Sequence, residues 1–141
     1  MDYLDPFGRP LFGVMARCVI VKDGKLLLIR EHMENTWETP GGGVEAGETL
    51  EQAARREALE ESGYEVKIGK VLSVSMGDTR RVNGLKKLCI MFEAELGKKV
   101  AEPQSDVNGV KWFSAEELRK LTPDWHDKEA FELFLAGKLE G

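Results

Sequence analysis

Glu57, Glu60 and Glu61 lie three and four positions apart. A helix over them puts three carboxylates on one face. Like charges so placed repel by a few tenths of a kcal/mol per pair, and a hard divalent cation offsets that, because Mg2+ prefers carboxylate, water and phosphate oxygens. The plainer reading of three such residues is a solvated acidic face. Upstream, the run Pro40-Gly41-Gly42-Gly43 reads by itself as a turn, but three glycines also let the backbone approach an ion or phosphate closely. Arg56, beside Glu57, offers a planar fork that holds a carboxylate through two parallel hydrogen bonds.

The elements that must position these groups are legible around them. Thr49 and Gln52 form a capping box, and Gly63 stands where a helix end wants a left-handed residue. The helix therefore runs from Leu50 to Ser62. Before it, Gly13–Val21 and Leu26–Arg30 read as two strands joined at Asp23-Gly24. Glu31–Thr36 reads as polar loop, and Trp37–Gly43, with Pro40 and its glycines, as a stop to regular structure. After the helix, Glu65–Met76 and Leu85–Leu96 read as strands around the charged loop Asp78–Gly84, and Val110–Phe113 as a short strand. Ser114 with Glu117 caps a short helix to Leu121, and a last helix runs from Asp127 to Lys138 with Phe131, Phe134, Leu135 and Leu139 in line. The order of strands, helix, strands and helices predicts an α/β fold: a mixed β-sheet sandwiched between helices in three layers.

Composition limits the partners. The chain has 141 residues, 42% hydrophobic and 32% charged, with a net charge of −5. A surface for long nucleic acid usually carries a basic excess, so that class is disfavoured, whereas a small phosphorylated ligand bringing its own cations is not. No apolar run approaches the about 20 residues of a membrane span, and the acidic start lacks the features of a signal peptide, so a cytoplasmic protein without membrane contact is expected. Cys18 and Cys89 stand apart in apolar stretches and are expected to be buried, reduced thiols. His32 and His126 are isolated and no Cys/His zinc spacing occurs, so no histidine-based metal site or triad is expected.

Gly42, five residues, Glu48, seven residues, then Arg56-Glu57-Ala58-Leu59-Glu60-Glu61-Ser62-Gly63-Tyr64 resembles the Nudix hydrolase signature G-x5-E-x7-R-E-U-x-E-E-x-G-U, where U is bulky and apolar. Ala58 is small for its position and Tyr64 fits its own loosely; both concern packing. The flanks Trp37-Glu38-x-Pro40-Gly41-Gly42 and Val110-Lys111-Trp112-Phe113-x-x-Glu116-Glu117-Leu118 are similar to the family as well. Residues 1–141 match one Nudix-like domain, with 1–11 as an N-terminal arm.

The resemblance implies hydrolysis of a nucleoside diphosphate linked to another group. It implies Mg2+ or Mn2+ held by Glu57, Glu60 and Glu61 with the Gly41 carbonyl, and water deprotonated by Glu57 or Glu60. Arg56 and Glu48 are expected to pair and position loop and helix. Several family members add a glutamate from a later loop; Glu102 is the first candidate here and Asp106 the second. Arg30 stands where related proteins place a phosphate-contacting arginine, and Gly42 and Gly43 are expected against the substrate. The pairs Arg80-Arg81 and Lys86-Lys87 read as solvated charges, and Trp37 and Trp112 as core rather than base-stacking residues. Subgroup markers for ADP-ribose hydrolases (a proline) and diadenosine polyphosphate hydrolases (a tyrosine) fall at Arg80, Arg81 and Val82, where neither residue stands. Those two subgroups are thereby weakened, and the compact length without insertions fits a (deoxy)nucleoside triphosphate pyrophosphohydrolase better, with ADP-ribose or nucleotide sugars and dinucleoside polyphosphates as the alternatives. A nucleotide-binding module without turnover, or an unrelated α/β protein with an acidic partner-binding face, are the other readings. Family members are often dimers, and Tyr3, Leu4, Phe7, Leu11 and Phe12 in the arm offer apolar surface for a homodimer or for the chain's own sheet.

Overall fold

Both faces of the central strands are apolar, and that dictates the layering. The computed structural model describes residues 3–31, 36–79 and 84–139. Strand β1 (Phe12–Lys22) sends Ala16, Cys18 and Ile20 to one core and Val19 and Val21 to the other. Strand β2 (Lys25–Glu31) splits in the same way, Leu27 to the first and Leu26 and Leu28 to the second. Helix α1 (Leu50–Ser62) presses the small side chains Ala53, Ala54 and Ala58 into the first core. The small Ala58 within the signature is thus what lets α1 approach the sheet closely. On the opposite face, Leu118 of α2 (Ala115–Leu118) and Phe131 and Phe134 of α3 (Lys128–Leu135) close the second core. The result is the three-layer α/β/α sandwich anticipated from the element order.

Among the described residues the sheet has seven strands. Its main path runs β3 (Trp37–Glu38), β2, β1, β6 (Lys86–Lys99), β5 (Tyr64–Asp78), with β5 antiparallel to β6, and β7 (Val107–Phe113) antiparallel to β2. The β1–β6 pairing is parallel, which makes the sheet mixed.

Two short strands replace the expected break after Trp37: β3 (Trp37–Glu38) pairs with β2, and β4 (Gly41–Gly43) pairs with β1. The reason is an unused edge. Strand β2 meets β1 only at Val21 and Lys22, so the edge at Met15–Arg17 is free to take β4. A Cβ on Gly41 would lie 2.7 Å from Arg17 Cα, so only glycine fits there. Helix α3 also ends earlier than Lys138, because Gly137 takes φ 71° and its N–H bonds to Phe134 O. The arm is pinned by a Leu4–Pro10 bridge and an Asp5–Arg9 ion pair of 2.7 Å, and it leaves Tyr3, Leu4, Phe7, Leu11 and Phe12 exposed. Both cysteines are free and buried, and burial pushes each thiol up to about 12. Among the described residues no helix is long and apolar enough to cross a membrane.

Candidate active site

The site is built around one guanidinium. Arg56, on α1, bonds Glu48 through both ends of its fork, Nε to Oε2 at 2.7 Å and Nη2 to Oε1 at 3.0 Å. Glu48 in turn accepts the Glu45 N–H at 2.8 Å. The same guanidinium reaches Gly43 O at 3.0 Å, Glu57 Oε1 at 3.0 Å and Glu60 Oε2 at 3.2 Å. It thereby ties the loop before α1, the strand β4 and two box carboxylates into one rigid unit. Arg56 is pushed up chiefly by its Glu48 hydrogen bonds, and Glu48 is pulled down by the same contact.

Strand β4 then meets α1. The Cys18 N–H to Pro40 O bond, the Ala16–Gly42 register and the Val44 N–H to Val14 O bond use every second residue, Pro40, Gly42 and Val44, for the ladder to β1. Gly41 and Gly43 therefore turn their N–H and C=O away from β1, since both groups of a strand residue leave on one edge. Glu61 Oε1 accepts the Gly41 N–H at 2.7 Å, and Arg56 takes the Gly43 carbonyl. The Gly41 carbonyl consequently points along the edge that Glu61 occupies. On the α1 side of this strip, a Cβ on Gly42 would lie 2.6 Å from Glu57 Oε1. The carboxylate packs directly on the glycine backbone.

Burial raises the Glu57 carboxyl above its usual range, against the pull of Arg56. Burial raises Glu61 further; Arg17 opposes, and a hydrogen bond to the Glu31 carboxyl adds to the rise. The donors gathered here are hard oxygens with surplus negative charge, a set that fits Mg2+ or Mn2+ rather than a thiophilic metal.

Across β4 from α1 lies a cleft of about 140 Å³, floored by Gly41–Gly43 and walled by Met15, Arg17, Lys87 and Trp125. Its far wall, Asp124, Trp125 and His126, is the segment leading into α3. Beneath it Arg17 is 3% exposed and holds a buried network. Its Nε donates to Thr39 Oγ1 at 3.0 Å, its Nη2 to Thr39 O, and it pairs with Glu38 at 3.2 Å and Asp127 at 3.7 Å. Asp127 also accepts from the Thr39 hydroxyl at 2.6 Å and N–H at 2.9 Å. Asp127 stays below its ordinary value despite full burial, because His126, Arg17 and Thr39 stabilise the anion.

Several sequence-predicted residues converge and others do not. Glu48, Arg56, Glu57, Glu60, Glu61 and Gly41–Gly43 form one cluster about the strip and the helix. Arg30 instead stacks over the Trp37 ring at 4.6 Å and donates to Asn108 at 3.0 Å, and it does not line the cleft. Glu102 is exposed, 3.9 Å from Lys99 Nζ, although its loop is tied to α1 by a Gln104 N–H to Glu60 O bond of 2.9 Å. Asp106 lies in an exposed turn. Trp37 sits edge-on to Phe113 and Trp112 edge-on to Tyr64, as core residues. Lys86 pairs with Asp78 at 2.7 Å, but Lys87 is half-buried on the cleft wall rather than solvated. His32 and Arg80-Arg81 lie outside the described residues.

Sequence reasoning missed Arg17, Glu31, Glu38, Asp124, Trp125, His126 and Asp127. Only Arg17 carried a local signal, a cation inside the apolar run Met15–Val21.

A family model described as the NUDIX domain matches residues 12–134. A putative 8-oxo-dGTP diphosphatase of Bacillus subtilis is 31% identical over 100 residues, 71% of this chain and 64% of that protein. An ADP-ribose pyrophosphatase of Methanocaldococcus jannaschii is 33% identical over 113 residues, 78% of this chain and 66% of that protein. A solved structure, a NUDIX hydrolase from Nitrosomonas europaea, superposes with a TM-score of 0.78 at 25% identity and covers 92% of both chains. With the signature folded as a helix strapped to a glycine strand, the chain belongs to the Nudix family, the hydrolases of phosphoric anhydride bonds.

Proposed function

We propose that the chain cleaves a (deoxy)nucleoside triphosphate to the monophosphate and pyrophosphate with Mg2+, or Mn2+, bound at the edge of β4. Nudix enzymes in general use a divalent metal ion. The observation that carries the reading is the gathering of Glu57 and Glu60 on Arg56 and of Glu61 on the Gly41 N–H, all against the Gly41–Gly43 strip that also floors the cleft. We assign the metal to those three carboxylates and the Gly41 carbonyl; Glu102, turned to solvent beside Lys99, is not among the ligands we propose. When bound, the ion neutralises phosphate charge and polarises the anhydride.

The chain's own residues do the rest. Arg56, bonded to Glu57 and Glu60, keeps both carboxylates aimed and separated. One of these two takes the proton of the attacking water as the new P–O bond forms and the anhydride P–O bond breaks, releasing pyrophosphate. Gly42 and Gly43, without side chains, let the polyphosphate pass over β4. Trp125 and Met15 offer the apolar wall for the base, and Lys87 a cation facing the same space. Arg30, held on Trp37 and Asn108, is not assigned a phosphate contact.

The similarity to the ADP-ribose pyrophosphatase of Methanocaldococcus jannaschii supports ADP-ribose as a second substrate reading. A panel of nucleoside triphosphates, ADP-ribose, nucleotide sugars and dinucleoside polyphosphates, assayed with Mg2+ and with Mn2+ for nucleoside monophosphate, pyrophosphate and phosphate, tests both. The expected result is monophosphate plus pyrophosphate from a triphosphate at the highest kcat/KM. Faster release of AMP and ribose phosphate from ADP-ribose would overturn the substrate assignment. No turnover of any member would overturn the enzyme reading.

A further inference from the structure

Trp125, the wall assigned to the base, is seated on Gly77 of β5, where a Cβ would overlap the indole. Its sequence neighbours hold it there. The Trp125 backbone N–H donates to Asp124 Oδ1 at 2.9 Å, and the His126 ring meets the indole edge-on at 5.4 Å.

His126 is buried, and both of its ring nitrogens face carboxylates. Nδ1 lies 2.9 Å from Asp127 Oδ1 and Nε2 lies 3.2 Å from Asp124 Oδ2; Glu38 Oε2 stands farther off, 3.8 Å from Nε2. A neutral imidazole carries one N–H and can donate to only one of its two close acceptors. The imidazolium donates to both, and imidazole is more basic than a carboxylate, so the proton between Nε2 and Asp124 resides on the ring. The two bonds differ in what they join. Asp127 is fully buried and bonded to Thr39, so the Nδ1 bond anchors the ring to the core. The Nε2 bond ties the Asp124–Trp125 segment to that anchored ring.

The surrounding charges act in both directions. Burial and the Arg17 guanidinium of β1 oppose protonation of the ring, but the hydrogen bonds to Asp124 and Asp127 outweigh them and hold His126 above its ordinary 6.5. Glu31 of β2, Glu38 of β3, Asp78 of β5 and Lys87 of β6 line the same cleft. A raised folded value means that the stabilisation is complete at low pH and is lost as pH rises through it. Loss of the Nε2 proton leaves a lone pair opposite Asp124 Oδ2, two acceptors with no hydrogen between them. Asp124 then withdraws, and with it the Trp125 N–H that it holds.

We infer that His126 is a positioning residue for the nucleotide base: as a doubly bonded imidazolium it fixes the Asp124–Trp125 wall, and the wall loosens when the ring gives up its Nε2 proton. The contact of this wall with a base rests on the function proposed above, whereas the tie between ring and wall does not.

The full chain, with isotopically labelled histidine and tryptophan, is followed by NMR as pH is raised, the variants His32→Gln and Trp125→Phe assigning the signals. The His126 ring should titrate above 6.5, and the nuclear Overhauser contacts between the Trp125 indole and Gly77 should weaken with the same midpoint. Steady-state KM for a nucleoside triphosphate should rise at least about fivefold through that midpoint, with no matching step in kcat. Asp124→Asn keeps an acceptor for the Trp125 N–H but removes the charge beside Nε2. It should lower the His126 midpoint by about 1 pH unit or more and remove the Trp125 and KM steps from their wild-type position. A ring that titrates at or below 6.5 overturns the inference, as do Trp125–Gly77 contacts that stay level across the ring's midpoint. A level KM in an enzyme that turns over the triphosphate overturns the role in base placement. Absence of triphosphate turnover at every pH defeats the proposed function instead, while the NMR signals still decide the tie between ring and wall.

Discussion

Arg56 makes the acidic face of α1 tolerable. Its guanidinium contacts Glu48, Glu57 and Glu60 at once, so repulsion between neighbouring carboxylates becomes a set of charge-assisted bonds. That division of labour separates two kinds of substitution. Glu60→Gln removes a negative charge from the proposed metal site but leaves the helix caps untouched. Steady-state kinetics should show kcat reduced by about a hundredfold or more, with an unchanged far-UV CD spectrum. Arg56→Lys keeps a positive charge but cannot span Glu48 with two parallel bonds. The α1 carboxylates then lose their fixed aim, and kcat/KM should fall at least about tenfold. A rate equal to wild type would reduce Arg56 to a surface cation.

At the scale of elements, the junction of β4 and α1 is made of backbone on one side and carboxylate on the other. Gly42→Ala places a methyl 2.6 Å from Glu57 Oε1. Either the carboxylate swings away or the strand lifts from β1, so the variant should lose Mg2+-dependent turnover while keeping most of its thermal stability. Activity and Tm measured on the same preparation separate the two effects. Helix α2 offers a pH test. Glu117 bonds Lys111 at 2.8 Å and the Ser114 N–H at 3.1 Å, which hold its carboxyl down at about 2 against an ordinary 4.5. A lowered folded pKa stabilises the fold above the unfolded value, and that stabilisation disappears as pH falls through the folded one. The Tm difference between wild type and Glu117→Gln should therefore be constant near neutrality and close between about pH 4.5 and 2.

These local devices were the legible part. Capping residues, the Asp23-Gly24 turn and the signature spacing act within a few positions, so helix α1 and its glutamates follow from the sequence alone. Strands β3 and β4 were not legible, because their existence depends on how far β2 extends along β1, a fact of sheet register and not of local composition.

At the scale of the molecule, the invisible part is what joins the two layers. Thr39 and Asp127 are 88 positions apart and bonded at 2.6 Å, and Arg17 completes the link from β1. No periodicity announces such a contact; a lone cation in a buried strand is the sole hint. Arg17→Met leaves Glu38 and Asp127 as buried anions without their guanidinium. Chemical denaturation should show a loss of about 3–5 kcal/mol, far more than a surface substitution costs.

The same long-range bond bears on how the protein comes into being. A nascent chain with α1 already outside the ribosome carries all the signature acids, but until Asp127 emerges, the Arg17, Thr39 and Glu38 network lacks its second carboxylate and the cleft lacks its far wall. The cleft is thus completed only when residues 124–127 have joined the fold.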